Sequence, residues 1–257
     1  MVKIFEGSWA VVLGGSSGLG LAAIQKLARH GMNICVVHRN TRVELPAIQA
    51  AFEAVRQAGV ELISFNVDVL NAAQRDEVLQ ALQTAIGKGK VRCLLHSIAR
   101  GNLKEIPQLQ REDIDITLQY MATSLYDWAA ALLKSGLFAA DARIIAFTSD
   151  GSYKAIPNYA AVSAAKAALE AIVRSLALEM APYGIRANCI RAGVTDTVAL
   201  RRIPGSDALL EYSKERNPFG RTTTPEDVAN VVYLLCCDEA AWINGTIIPV
   251  DGGTHLQ

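Results

Sequence analysis

Tyr159 and Lys166 stand seven residues apart in the run Tyr159-Ala-Ala-Val-Ser-Ala-Ala-Lys166. Two turns of α-helix bring positions i and i+7 back to nearly the same face, so a phenol and an ammonium can point into one cleft. An ammonium beside a phenol favours phenolate, and that makes Tyr159 a better proton donor to a developing oxyanion at neutral pH. Ser149, seventeen residues before the lysine, is a third candidate that would orient substrate or water. The same residues also read as a core-edge tyrosine, a solvated lysine on an alanine-rich helix and a strand-end serine. The pair therefore gains meaning only from the site built around it.

A glycine-rich run, Gly14-Gly-Ser-Ser-Gly18-Leu-Gly20, follows the first strand-like segment and opens the first helical pattern. Glycines there let the backbone approach a pyrophosphate, and the positive end of a helix favours its charge. The spacing is G-x-x-x-G-x-G rather than G-x-G-x-x-G, and it is the strand–turn–helix setting that favours a nucleotide over a plain tight turn. At the end of the second strand-like segment, where an acid would bind a free ribose 2′-hydroxyl, the chain has His38-Arg39. An arginine able to bind a 2′-phosphate, with no carboxylate to repel it, points to NADPH rather than NADH. Arg42 is a second candidate.

Elements must hold these groups in place. Short β-branched runs alternate with longer helical patterns, which predicts a parallel sheet wrapped by helices. Strands are expected at 9–13, 33–38, 61–65, 91–95, 143–148, 186–190 and 246–250. The first helix should start near Gly18 and stop at Gly31, a glycine suited to the left-handed cap. Another should start at Thr224, where Thr-Pro-Glu-Asp supplies an N-cap, a proline at the first helical position and an acid at the third. Long helices are expected near 113–135 and 158–182, apolar on more than one face. No linker, repeat or low-complexity tract divides the chain, so a single domain over 1–257 is expected.

Composition narrows the classes of function. Twenty-five basic residues balance twenty-five acidic ones in 257, so no long-range field argues for nucleic acid or an anionic membrane as partner. About half the residues are apolar, enough for a large core. The segment from Met1 to Gly7 lacks the apolar stretch of a secretory signal, and no run approaches membrane-spanning length; a cytoplasmic location is expected. The five cysteines make no metal spacing and read as buried thiols. His30, His38, His96 and His255 show no ligand spacing either, so no metal is expected. They read as surface or packing residues, with His96 also a candidate cofactor contact.

With these motifs in hand, the chain resembles the short-chain dehydrogenase/reductase family from about residue 9 to 253. The glycine loop, Asp68 in Asn66-Val-Asp-Val69, the Ser149/Lys166 pair and the closing Val250-Asp-Gly-Gly253 carry the resemblance. It implies a Rossmann-like, doubly wound α/β domain with a seven-stranded parallel sheet and helices on both faces. It assigns adenine binding to Asp68 and the nicotinamide ribose to Lys166. Further cofactor contacts fall to Gly14, Ser16, Ser17, Gly18, Leu19 and Gly20, to Val69, to Ser97, Ile98 and Ala99, and to Gly193, Val194, Thr195 and Thr197. The family commonly assembles into tetramers through its two long helices, so a homotetramer is expected.

Carbonyl-reducing members place the catalytic tyrosine four residues before the lysine, where this chain has Val162. The Y-x-x-x-x-x-x-K spacing resembles instead the enoyl-acyl carrier protein reductase branch. His96-Ser-Ile98, Ala155-Ile-Pro-Asn-Tyr159, Ala192-Gly193 and Met121 in the approximate place of the tetrad asparagine agree with that branch. Many enoyl reductases carry a second tyrosine where Ser149 stands, and the sequence is most similar to a serine-bearing, NADPH-using type, a likeness that the stretch 196–204 also fits. Tyr153 reads as a loop aromatic. The expected reaction is reduction of the 2,3 double bond of an enoyl thioester in fatty-acid synthesis. The alternatives are an NADPH-dependent carbonyl reductase, such as a 3-oxoacyl-acyl carrier protein reductase, and, remotely, a non-catalytic dinucleotide-binding regulator.

Between Gly193 and Gly220 apolar Val194, Val198, Leu200, Ile203, Leu209 and Leu210 alternate with Arg201, Arg202, Lys214 and Arg216. Such a segment, 194–220, reads as a substrate lid. Leu200 and Ile203 are candidate substrate contacts beside Tyr159 and Ser149, and the cations would meet an acidic acyl carrier protein. An amphipathic helix packing on its own core is the other reading.

Overall fold

A computed structural model describes residues 3–203 and 205–257; Pro204, the end of the 196–204 stretch, lies outside them. Seven parallel strands form one sheet in the order β3-β2-β1-β4-β5-β6-β7. They are β1 (Trp9–Leu13), β2 (Asn33–His38), β3 (Leu62–Asn66), β4 (Val91–His96), β5 (Phe138–Thr148), β6 (Ile185–Ala192) and β7 (Ile247–Val250). The helices are α1 (Gly18–Arg29), α2 (Leu45–Arg56), α3 (Ala72–Ile86), α4 (Arg111–Leu118), α5 (Ser124–Lys134), α6 (Ala160–Glu179), α7 (Val198–Arg201), α8 (Ser206–Arg216) and α9 (Pro225–Cys236).

Strand β1 shows why the sheet carries helices on both faces. All five of its residues are buried. Trp9, Val11 and Leu13 join the core under α3, α5 and α6, while Ala10 and Val12 join the core under α1, α2 and α9. That alternation is the period-2 pleat of a strand covered on both sides. Each fully buried Leu or Phe contributes about 1.5–3 kcal/mol of burial energy. The strand order reverses direction between β1 and β4, which opens a crevice at the carboxyl ends of the strands.

Both expected helix boundaries are present. Gly31 follows α1 with φ +90°, and the Thr224 hydroxyl accepts from Asp227 N at 3.3 Å while the Asp227 carboxylate accepts from Thr224 N at 2.9 Å. Strand β5 begins five residues before the expected 143, because Phe138 pairs with Val91 ahead of a register shift. The Ala-Ala-Asp-Ala stretch carries no β-branched residue, and the strand extends over it because Phe138 before it pairs with β4 and Ala142 at its end pairs with β6. Asp141 there accepts from Arg143 and Arg186. Arg143, only 1% exposed, also donates to the Leu235 carbonyl and ties β5 to α9.

The long helix expected near 113–135 is present, with helical backbone continuous from α4 through to α5. A π-helical turn over Gln119–Thr123 joins the two. There the Ser124 hydroxyl donates to the Tyr120 carbonyl at 2.8 Å, and the ring Nε2 of His96 meets the same Oγ at 2.8 Å. Such turns recur at functional sites.

Candidate active site

The carboxyl ends of β1 to β6 bring the sequence-derived candidates together. Gly14, Ser16, Ser17, Gly18, Leu19 and Gly20 form the β1–α1 loop; Arg39 follows β2; Asp68 and Val69 follow β3; Ser97, Ile98 and Ala99 follow β4. Ser149 follows β5, and Gly193, Val194, Thr195 and Thr197 follow β6.

Close packing explains the glycines. A Cβ on Gly14, whose φ is +85°, would lie 2.5 Å from the Ser97 carbonyl, and one on Gly20 would lie 2.3 Å from the Gly14 carbonyl. The two loops on either side of the crevice therefore touch, and Ser97 N donates to the Leu13 carbonyl at 2.8 Å. Ser17, the N-cap of α1, makes no side-chain cap, and the first turn carries no acid. Its leading N–H groups are thus left for an anion, as a dinucleotide pyrophosphate requires. Gly18 faces the methyl of Thr197 at 3.5 Å from its would-be Cβ, which brings the post-β6 loop over the glycine loop. These residues fit a bound dinucleotide.

Tyr159 is the N-cap of α6 rather than a residue of its interior, and it follows Asn158, the only non-glycine residue with positive φ (63°) among those described. Its ring lies against Gly151, where a Cβ would come within 2.5 Å of Cε1. Gly151 was not singled out in the sequence; a glycine two residues after Ser149 was its only signal. Gly151→Ala should push the ring aside and lower kcat by roughly 10- to 100-fold with the fold intact, because small misplacements of a reacting group carry such costs. Steady-state kinetics beside a circular-dichroism melt would check this.

Burial raises the Tyr159 phenol above its ordinary value, and the Ser149 side chain pulls it only part of the way back. This corrects the expectation that the lysine lowers it. The Lys166 ammonium turns instead to the Phe147 carbonyl at 2.6 Å. Ser149 Oγ is itself buried without a hydrogen bond of ordinary geometry to any described residue, so its influence on the phenol is one of proximity. That hydroxyl is free to serve a substrate oxygen. Lys166 is only 6% exposed, and desolvation lowers its pKa to about 8 against the opposing pull of Cys189 and Glu170. Glu170, one turn further along α6, accepts from Thr148 Oγ1 at 2.7 Å.

Several expectations are redirected. His96 is fully buried on Ser124, and desolvation, then the Lys166 charge, lower its pKa to about 3; it is a neutral packing residue. His38 packs on the Phe52 ring with its Nδ1 on Asn40. Arg39 Nη1 donates to Asp68 Oδ2 at 2.6 Å and to Tyr120 OH at 2.8 Å. Tyr153 is exposed, with the Arg191 guanidinium 4.5 Å above its ring. Val162, at the position where a carbonyl reductase would carry its phenol, is a buried core residue.

The segment after β6 is built of α7 and α8 rather than one irregular loop. Leu200 and Ile203 are half-buried, while Val198 and Leu209 are exposed. Its cations are largely engaged within the segment: Arg201 pairs with Asp196 and Asp207, and Arg216 bonds the Tyr212 hydroxyl. Among the described residues no group of acids, histidines and cysteines is arranged to hold a metal, and no helix is long and apolar enough to cross a membrane.

Comparison with known proteins adds the following. The model of the family described as enoyl-(acyl carrier protein) reductase matches residues 14–255. An NADH-type enoyl-[acyl-carrier-protein] reductase of Enterococcus faecalis is 30% identical over 96% of this chain and 96% of its own. Its counterpart in Aquifex aeolicus is 34% identical over 66% of this chain and 64% of its own. The crystal structure of that Aquifex protein superposes with a TM-score of 0.86 over 98% of both chains, at 26% identity. A tropinone reductase homologue of Arabidopsis thaliana is 29% identical over 98% of this chain and 95% of its own.

Proposed function

Because the chain belongs to the enoyl-(acyl carrier protein) reductase family among the short-chain oxidoreductases that use a nicotinamide dinucleotide, we propose that it reduces the 2,3 double bond of enoyl thioesters carried on acyl carrier protein, with NADPH as reductant. The observation that carries this reading is the place of the phenol. Tyr159 caps α6 at the mouth of the crevice, one turn before the position that Val162 fills with core.

The dinucleotide, when bound, supplies a hydride, and the proposed acceptor is the β-carbon of the enoyl chain. A solvent proton added at the α-carbon completes the reduction, but first negative charge develops on the thioester oxygen, some distance from the acceptor carbon. Tyr159 donates a hydrogen bond there; its raised pKa keeps the phenol protonated at neutral pH. Lys166 holds the ribose hydroxyls. Ser149, buried and unpartnered, orients the acyl oxygen. NADPH rests on Arg39 and on the lack of an acid at the end of β2, although both enoyl reductase relatives above are named as NADH enzymes.

Incubation with NADPH and a trans-2-enoyl thioester should give the saturated acyl thioester, identified by mass. Recovery of the unchanged enoyl thioester would reject the reading. A carbonyl reductase is the second reading, favoured by Ser149 where a second tyrosine would otherwise stand. We further propose a homotetramer through the helices preceding and including α6, supported by exposed apolar Tyr126 and Leu178 on α5 and α6. Light scattering should give four times the chain mass at micromolar concentration; a monomer there would contradict it.

A further inference from the structure

We propose that Tyr120 is a positioning residue for cofactor selection: its hydroxyl braces Arg39 against Asp68 so that the guanidinium is held ready for a 2′-phosphate. The inference rests on the NADPH reading above. The three side chains close a triangle, with Arg39 Nη1 to Asp68 Oδ2 at 2.6 Å, Arg39 Nη1 to Tyr120 OH at 2.8 Å and Tyr120 OH to Asp68 Oδ2 at 2.8 Å. The phenol accepts from the arginine and donates to the carboxylate. Arg39 uses only Nη1 in these bonds, which leaves Nη2 and Nε as a planar edge for a phosphate.

Two of the corners, Asp68 and Tyr120, are fixed from outside the triangle. Asp68 Oδ1 accepts from Leu70 N at 3.1 Å, and Asp68 N donates to Gln74 Oε1. Tyr120 is 6% exposed, lies on the π-helical turn, and has its own carbonyl held by Ser124. The Arg100 guanidinium stands 4.5 Å over its ring. Arg39, by contrast, is 53% exposed. A long cation left free at that exposure would spend side-chain entropy on each phosphate it meets, and two bonds to immobile partners remove much of that cost beforehand. The triangle sits at the ends of β2 and β3, where the adenosine ribose falls in doubly wound folds. Asp68 offsets part of the guanidinium's charge, so the preference for a ligand with a 2′-phosphate rests on the braced, unused edge of Arg39.

Two probes that differ only in that phosphate read the effect by calorimetry, adenosine 2′,5′-bisphosphate and adenosine 5′-monophosphate. The wild-type protein should prefer the bisphosphate, and Arg39→Ala should abolish the preference. Tyr120→Phe, which keeps the ring, should weaken the bisphosphate roughly three- to tenfold, the scale of one lost bond to a charged group, and leave the monophosphate unchanged. In the Arg39→Ala background, Tyr120→Phe should have no further effect on the ratio. Should Tyr120→Phe not fold, Tyr120→Met reads the same ratio with apolar bulk retained. Equal weakening of both probes, no change, or tighter bisphosphate binding by Tyr120→Phe overturns the brace alone. A wild-type protein that does not prefer the bisphosphate overturns the NADPH reading and the brace with it, whereas a preference that survives Arg39→Ala takes Arg39, and so the brace, out of the selection.

Discussion

Tyr159→Phe should lower turnover roughly 10²- to 10⁴-fold, the usual range for a positioned acid, while leaving NADPH binding nearly intact. The substitution removes only a hydroxyl. The ring keeps its seat against Gly151 and its place as the cap of α6, so a stability loss is not expected to obscure the rate. Because the phenol is raised by burial rather than lowered by Lys166, its task is that of a neutral donor to developing charge. Stopped-flow turnover beside fluorescence titration of the cofactor separates the two effects. A variant with near wild-type turnover would remove Tyr159 from the chemistry.

Lys166→Ala should damage cofactor binding and rate together, because the proposed role of the lysine is to hold the ribose and to supply the positive charge of the site at once. Here pH gives an independent check. Burial lowers the Lys166 pKa from 10.5 to about 8 in the folded chain. The ammonium is therefore present below that value and lost as pH rises through it, so kcat/KM of the free enzyme should fall on the alkaline side near pH 8. Lys166→Arg keeps its charge there and should lack this limb, whatever its absolute rate. An alkaline limb that persists unchanged in Lys166→Arg would assign the titration to another group.

The central strands and both helix caps were legible because local chemistry settles them. A fully apolar β1, a Gly31 needed for positive φ and a Thr224-Pro-Glu-Asp cap carry their conformation in a few adjacent residues. The start of β5 was not legible, since Ala139, Ala140 and Asp141 have little strand propensity and lie between Phe138, which pairs with β4, and Ala142, which pairs with β6. The π-helical turn was hidden for a related reason. Its side chains continue an apolar pattern, and the bonds that go with it run from Ser124 back to Tyr120 and across to His96 on another strand.

The site divides along the same line. Tyr159, Lys166 and the glycine loop could be found from spacing, and the fold gathers them at the carboxyl end of the sheet. Where each group points could not be found that way. Lys166 turns to Phe147, nineteen residues back, and Arg39 reaches Asp68 and Tyr120 at separations of 29 and 81 residues. In the segment after β6, Arg201 reads from sequence as free for an acidic partner because Asp196 and Asp207 lie outside the apolar pattern there. Arg201 is neutralised by both.

The displaced phenol is the centre of the account, and a direct competition tests it. A trans-2-enoyl thioester and a 3-oxoacyl thioester of the same chain length, offered at equal concentration with NADPH, should yield the saturated acyl product well ahead of the 3-hydroxyacyl product. In the proposed reaction, a phenol one helical turn before Val162 would meet an enolate oxygen remote from the hydride acceptor rather than the oxygen on the acceptor carbon itself. Rapid formation of the 3-hydroxyacyl product with the enoyl thioester untouched would contradict the account and make Ser149 the better guide to the reaction.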